Sequence, residues 1–235
     1  LFLGSTAVVV GAGLMIAFKD KKNEEEKLES QNYEGANIDS SNAIDIDQTN
    51  AKFYVQRGLA KEKSGQINEA IEDIDKAIEL DSEYSIAFIA RSVIKYELKD
   101  YEGAIEDISQ AIIIDPENPN SYYNRGQANR LLGQFNEAIK DYSKAIDIDS
   151  PKSEYFYNRA EAKFDLKDFE GAIEDYSKAI DIDPNNIDTF YNRAAARKNI
   201  GDVDGFIKDI KIAAELGDSS AAELLIKHYS KLLDI

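Results

Sequence analysis

The 235-residue chain carries 45 acidic against 28 basic side chains, a formal charge of −17; a field of that sign repels nucleic-acid phosphates and argues against a DNA- or RNA-binding role. It has no cysteine and one histidine, His228, which removes disulfides, thiolate catalysis, lipidation on cysteine and cysteine-based metal sites. The length suits one or two ordinary domains, or one array of repeats whose units touch mainly their neighbours.

Residues Leu1 to Phe18 contain no charge, and as a helix they would span roughly 27 Å, close to the thickness of a bilayer core. Lys19, Lys21 and Lys22 follow at once. The expectation is a single-pass transmembrane anchor over residues 1–18, with the basic flank holding the rest of the chain on the cytoplasmic or stromal side. Two other readings stay open: a truncated secretory signal, although no basic region precedes the apolar run, and a helix of an ordinary soluble domain. Gly11-Ala12-Gly13 is not a dinucleotide loop, since no strand-turn-helix context surrounds it. Residues 19–32 are polar, with Glu24, Glu25 and Glu26 in a row, and read as a linker that cannot bury enough apolar surface to fold alone.

From Tyr33 the sequence copies part of what comes later. Tyr33-Glu34-Gly35-Ala36 matches Tyr101-Glu102-Gly103-Ala104, and Ala43-Ile44-Asp45-Ile46-Asp47 returns as Ala145-Ile146-Asp147-Ile148-Asp149. Residues 33–50 are thus half of a degenerate repeat, with a capping helix expected from about Tyr33 to Asp47; the alternative is a disordered vestige.

Five whole 34-residue units then follow without a gap, over 51–84, 85–118, 119–152, 153–186 and 187–220. Arg57, Arg91, Arg125, Arg159 and Arg193 stand at the seventh position of each unit. Asp73, Asp107, Asp141, Asp175 and Asp209 stand at the twenty-third, and Ala77, Ala111, Ala145, Ala179 and Ala213 at the twenty-seventh. The fourth position is always aromatic (Tyr54, Phe88, Tyr122, Phe156, Phe190) and the eighth always small (Gly58, Ser92, Gly126, Ala160, Ala194). With the seventh and eleventh these share one face of a first helix. After a turn marked by Gly65, Gly133 or Gly201, a second helix presents Ala70, Ala104, Ala138 and Ala172 at the twentieth position, and small residues on facing stripes let two helices approach closely. Asp115-Pro116 and Asp183-Pro184 stop the second helix. A last helix, in residues 219–235, caps the array.

Counting by three and four places the arginine and the aspartate on packing faces, where a partly buried charge needs a partner. The expectation is a structural ladder, for example Arg125 with Asp141 or with an aspartate of an adjacent unit.

These columns resemble the tetratricopeptide repeat, a 34-residue helical hairpin. The resemblance implies an all-α fold: a right-handed α-solenoid of five hairpins with a degenerate N-terminal half repeat and a C-terminal capping helix, of the kind found in anchored bacterial and plastid proteins. Departures are tyrosine or phenylalanine where the family often has tryptophan, arginine for the usual leucine at the seventh position, and Phe206 at the small twentieth position of the fifth unit, which should splay the last hairpin or seal it against the cap.

In proteins of this family the second, fifth, ninth and twelfth positions of the first helix line a groove. Here that stripe and its neighbour nominate Asn120, Tyr123, Asn124, Gln127, Arg130, Tyr157, Asn158, Glu161, Tyr191 and Asn192 as partner-binding residues. Asn124, Asn158 and Asn192 form a ladder suited to the backbone of an extended peptide, since an amide both donates and accepts; the alternative is that they satisfy the neighbouring helix. Glu62, Glu97, Glu154, Glu161, Asp165 and Asp188 outnumber Lys52, Lys63, Arg130 and Lys198 along the stripe, which disfavours an acidic ligand and favours a neutral to basic one. Glu154 and Asp188 stand where a clamp for chaperone-tail carboxylates would place lysine, so that mode is not expected.

No phosphate loop, nucleophile elbow or zinc helix motif is present, and neither cofactor, metal nor catalytic residue is expected. The leading expectation is a non-enzymatic, membrane-tethered scaffold that holds a segment of a partner protein, as an assembly factor for a membrane complex. The runner-up is an exported soluble adaptor of the same fold.

Overall fold

The computed structural model describes residues 32–232, with side chains to Ile226. Among them are twelve helices and no strand: α1 over 32–46, α2 (Ala51–Lys63), α3 (Ile67–Leu80), α4 (Ser85–Glu97), α5 (Tyr101–Ile114), α6 (Pro119–Leu131), α7 (Phe135–Ile148), α8 (Ser153–Asp165), α9 (Phe169–Ile182), α10 (Ile187–Asn199), α11 (Val203–Glu215) and α12 (Ser219–Leu232). The fold is an α-solenoid of helical hairpins. It divides within α4 into two compact units, the first ending at Ile94 and the second beginning at Lys95.

The single-pass membrane localisation expected from the sequence is overturned: among the described residues no helix is long and apolar enough to cross a membrane. The whole-repeat helices run to 13 or 14 residues, about 20 Å, and each spends its apolar face on its neighbours. The apolar run of residues 1–18 and nearly all of the polar stretch after it lie outside the described residues.

Local signals start and stop these helices as their chemistry dictates. Asn50, Asn118 and Asn186 cap α2, α6 and α10 through their side-chain oxygens, and Pro119 opens α6, where its missing N–H costs nothing. Asp100, Asp168 and Asp202 cap α5, α9 and α11 in the same way. The turn inside each hairpin needs a left-handed residue. Gly65, Gly133 and Gly201 supply it at φ of 78°, 74° and 81°, whereas Lys99 and Lys167 adopt φ of 63° despite their Cβ atoms.

Close approach is the rule inside the hairpins. Ala70, Ala77, Ala138, Ala145, Ala172 and Ala179 are wholly buried. A Cβ on Gly58 would come within 2.9 Å of Ile74 Cγ1, and one on Gly126 within 2.7 Å of Tyr142 Cε1, so the small eighth position is the mould for the large side chain at the twenty-fourth. At the C-terminal end Phe206 packs with Phe190, Ala194, Ile210 and Ala221. The outsized residue therefore seals the fifth hairpin against α12.

In four of the five whole repeats the charged columns pair within their own repeat. Arg57 Nη2 lies 2.6 Å from Asp73, and Arg125 Nη2, Arg159 Nε and Arg193 Nη2 lie 2.7 Å from Asp141, Asp175 and Asp209. Each of the four pairs is bidentate through Nε and Nη2. The remaining Nη1 donates to the serine at the twenty-fifth position of the preceding repeat, from Arg125 to Ser109, Arg159 to Ser143 and Arg193 to Ser177. Arg91 reaches Asp75 at that same position, at 2.6 Å. Each guanidinium also lies 5.5–5.8 Å from the ring of the aromatic three residues before it. One arginine thus ties three helices together.

A second donor reaches each aspartate from the eleventh position, which sequence reasoning placed on the packing face without recognising its role. Lys61, Lys95, Lys163 and Arg197 lie 2.7, 2.8, 2.7 and 2.9 Å from Asp73, Asp107, Asp175 and Asp209. In the third repeat Asn129 Nδ2 donates to Asp141 at 3.0 Å. Burial pushes the Asp175 carboxyl up, but hydrogen bonds and charge from Arg159 and Lys163 outweigh it and hold that carboxyl below the usual carboxylate range. On acidification the unfolded chain takes up this proton first, so the stabilisation is present above about pH 4 and fades below it.

Arg159→Ala is expected to lower the unfolding free energy by about 3–5 kcal/mol by stranding a buried carboxylate, with Asp175→Ala in the same range; urea denaturation at pH 7 and pH 3 measures the loss and its shrinkage in acid. Lys99→Gly and Lys167→Gly relieve left-handed strain and should each raise the unfolding free energy by about 1 kcal/mol, read as a higher melting temperature. A drop would show that the lysine side chains hold those turns.

Candidate functional site

All ten residues nominated from the sequence lie in the second unit, on α6, α8 and α10. Their helices are held in register by the arginine clamps beneath, so the fifth, sixth and ninth positions of successive first helices come within hydrogen-bonding distance. Two clusters result.

In the first, Tyr123 Oη accepts from Gln127 Nε2 at 3.0 Å and from Asn158 Nδ2 at 3.1 Å. The Tyr123 ring packs against Tyr142 and Tyr155, with centroids 5.8 and 5.3 Å apart. Burial, then the neighbouring charge of Glu154, pushes the phenol up to about 12. It therefore stays protonated at physiological pH, and with both lone pairs occupied its proton points away from these two amides.

The second cluster repeats the arrangement one unit on. Asn192 Nδ2 donates to Tyr157 Oη at 2.8 Å and to Glu161 Oε1 at 2.9 Å. Tyr176 Oη donates a short hydrogen bond to the same Glu161 oxygen. Arg130 Nη1 bridges Glu161 and Asp165 from across the helices at 3.8 and 3.5 Å. Tyr157 is also raised, by burial first and Glu161 second, so it too remains a donor.

The remaining nominees stand apart. Tyr191 donates to Asp218 at 2.6 Å, in the turn before α12, and burial with that bond lifts its phenol to about 12. Asn120 is exposed on the rim, 3.5 Å from Tyr155 Oη.

The asparagine ladder has a different meaning from the one its spacing suggests. Asn158 spends its amide on Tyr123 Oη and on Glu154 O, and Asn192 on Tyr157 and Glu161. Both satisfy neighbouring groups of their own chain. Each asparagine reaches the fifth-position tyrosine of the repeat before it; Asn124 follows a repeat with Ile89 at that position, where no hydroxyl exists to meet it.

Tyr142, Tyr155 and Tyr176 support the face from below and were missed by sequence reasoning. Tyr142 and Tyr176 fill the twenty-fourth position where the other three whole repeats carry isoleucine, and that swap, confined to the two repeats with the bonded Tyr123 and Tyr157, was the available signal. The Tyr142 hydroxyl is buried beside Arg130 without meeting it in hydrogen-bond geometry. Among the described residues no group of three or more histidine or acidic side chains is placed to hold a metal ion.

The fold has counterparts among known proteins. Solved structures similar to this chain include YrrB, described as a tetratricopeptide repeat protein with an unusual peptide-binding site, at TM-score 0.70 and 19% identity over 80% of this chain and 97% of that one. A MamA protein matches at TM-score 0.68 and 23% identity, covering 73% and 94%. PilF of Pseudomonas aeruginosa matches at 0.69 and 17%, covering 88% and 99%. At these identities the likeness is one of fold. No curated protein matches the chain. Models of the tetratricopeptide repeat match residues 51–84, 94–133, 119–150 and 160–201; they say nothing of an anchor or of a bacterial or plastid origin. Together these matches cover more than half of the sequence, and the chain belongs to the tetratricopeptide repeat family.

Proposed function

We propose that the α6–α8–α10 face of the second unit captures an extended segment of a partner protein, acting by binding rather than by catalysis. The observation that carries this reading is the Tyr123 hydroxyl. Its two lone pairs are filled by Gln127 and Asn158, so it presents a fixed proton to an incoming acceptor, and peptide carbonyls are the acceptors every segment offers. Tyr157, bonded by Asn192, repeats the device one repeat further along, and the unclaimed amide of Asn124 adds a contact before them. Tyrosine suits such a surface, pairing broad contact area with little rotamer freedom to lose.

The charge on this face sets the ligand's sign. Glu154, Asp165 and Asp188 are exposed there, and Arg130 is held between Glu161 and Asp165. A neutral or basic segment is therefore favoured over an acidic one. Holding such a segment while other subunits join it is the assembly role this reading accommodates.

Selection from a library of displayed linear peptides should enrich sequences poor in aspartate and glutamate. Tyr123→Phe combined with Tyr157→Phe, which removes the two donors and keeps the rings, should weaken the selected peptides about tenfold or more while circular dichroism shows the helices retained. Equal binding by that double variant, or enrichment of acidic peptides, defeats the proposal.

A further inference from the structure

The seam between the third and fourth repeats is filled by the chain itself. Lys152, at the thirty-fourth position, holds its ammonium 3.0 Å from Asp149 at the thirty-first and donates to Tyr155 Oη at 3.1 Å. Tyr155, at the third position of the next repeat, is wholly buried. Its ring lies 5.3 Å from that of Tyr123, and its hydroxyl donates to Asn120 Oδ1 at 3.5 Å. One cation and one large ring thus close this seam.

The seam between the fourth and fifth repeats keeps the frame and lacks the filling. The aspartate recurs as Asp183 and the fifth-position tyrosine as Tyr157, but Asn186 stands for the lysine and Thr189 for the buried tyrosine. A cleft of about 320 Å³ opens there, lined by Lys152, Ser153, Glu154, Tyr157, Asp183 and Asn186. Glu154 stands where the earlier seam has the neutral Asn120, so the seam that loses its cation also gains a carboxylate. Asp183 accepts only from the Asn185 N–H, and neither carboxylate meets a cation among the described residues. The ammonium of Lys152 is already spent on Asp149 and Tyr155. Thr189 is wholly buried and its hydroxyl has no partner among the described residues, a side chain too short to reach what Tyr155 reaches one seam earlier.

We propose that this cleft receives a lysine or arginine side chain of the partner segment, whose charged end takes beside Asp183 and Glu154 the place that Lys152 takes beside Asp149. Resting on the peptide-binding reading of the α6–α8–α10 face, this subsite fixes one residue of the segment. Tyr157 joins the two, because it lines the cleft and is also one of the two oriented hydroxyls. The basic residue therefore falls next to the carbonyl that Tyr157 receives. Two carboxylates around one opening reward a cation at that single position, whereas the general charge of the face only disfavours acidic segments.

Peptides selected from the displayed linear library on the wild-type chain should share a lysine or arginine at one place. Changing that residue to glutamine should weaken binding to the wild-type chain about fivefold or more, and binding to a chain carrying Glu154→Gln and Asp183→Asn by less than about twofold. Asn186→Lys with Thr189→Tyr copies the seam before it; this chain should lose the basic preference while circular dichroism shows the helices retained. Selected peptides with no shared basic residue overturn the subsite and leave the peptide-binding face standing. So does a basic preference that survives Glu154→Gln with Asp183→Asn. A library that yields no enriched peptide overturns the face and the subsite together.

Discussion

The bidentate arginine–aspartate pair is the contact on which the rest of this structure depends. It spends Nε and Nη2 on the aspartate of its own second helix, in Arg159 with Asp175 for instance, and Nη1 on Ser143 of the repeat before. A single planar guanidinium therefore fixes the angle within a hairpin and the offset between hairpins, which a flexible ammonium does less well. Buried ion pairs add little net stability against an apolar alternative, since both charges are taken from water. Their value here is registry. An alanine-lined interface has few features to stop helices sliding, and a fork that fits one carboxylate supplies a stop in four of the five whole repeats.

Registry beneath becomes chemistry above. Because α6, α8 and α10 are locked at a constant offset, the sixth-position asparagine of one repeat meets the fifth-position tyrosine of the last, at Asn158 with Tyr123 and at Asn192 with Tyr157. The amides hold the phenols in place through these bonds. Glu161 gathers Asn192, Tyr176 and Arg130 around one carboxylate, which stiffens the second cluster more than the first. Binding surfaces gain affinity by being ordered before the ligand arrives. This face is ordered by its own side chains.

The helices flanking the whole repeats are where the size pattern changes. Phe206, too large for a twentieth position, is accommodated because α12 brings Ala221 and Leu225 over it. Asp39 and Ser40 depart from the pattern in the opposite sense, one exposed and the other small where isoleucine or tyrosine usually stands. Repeats at the edge of an array are commonly atypical in this way.

The sequence by itself determined the repeat length, the hairpins, the arginine and aspartate columns and the small-residue stripes. Each of these recurs every 34 residues, and periodicity survives in one dimension. Who bonds to whom did not survive there. The second donor at Lys61, Lys95, Asn129, Lys163 and Arg197 was hidden because lysine, asparagine and arginine share a role without sharing an identity. The asparagine ladder was visible, but only the distance across helices decided that Asn158 and Asn192 serve tyrosines of their own chain. The apolar composition of residues 1–18 suggested a membrane location that no helix among the described residues supports, since hydropathy measures what a segment tolerates and leaves open where it goes. Composition and spacing fix which faces are compatible; the three-dimensional offset between helices fixes which atoms touch, and hydrogen bonds are made or lost over less than an ångström.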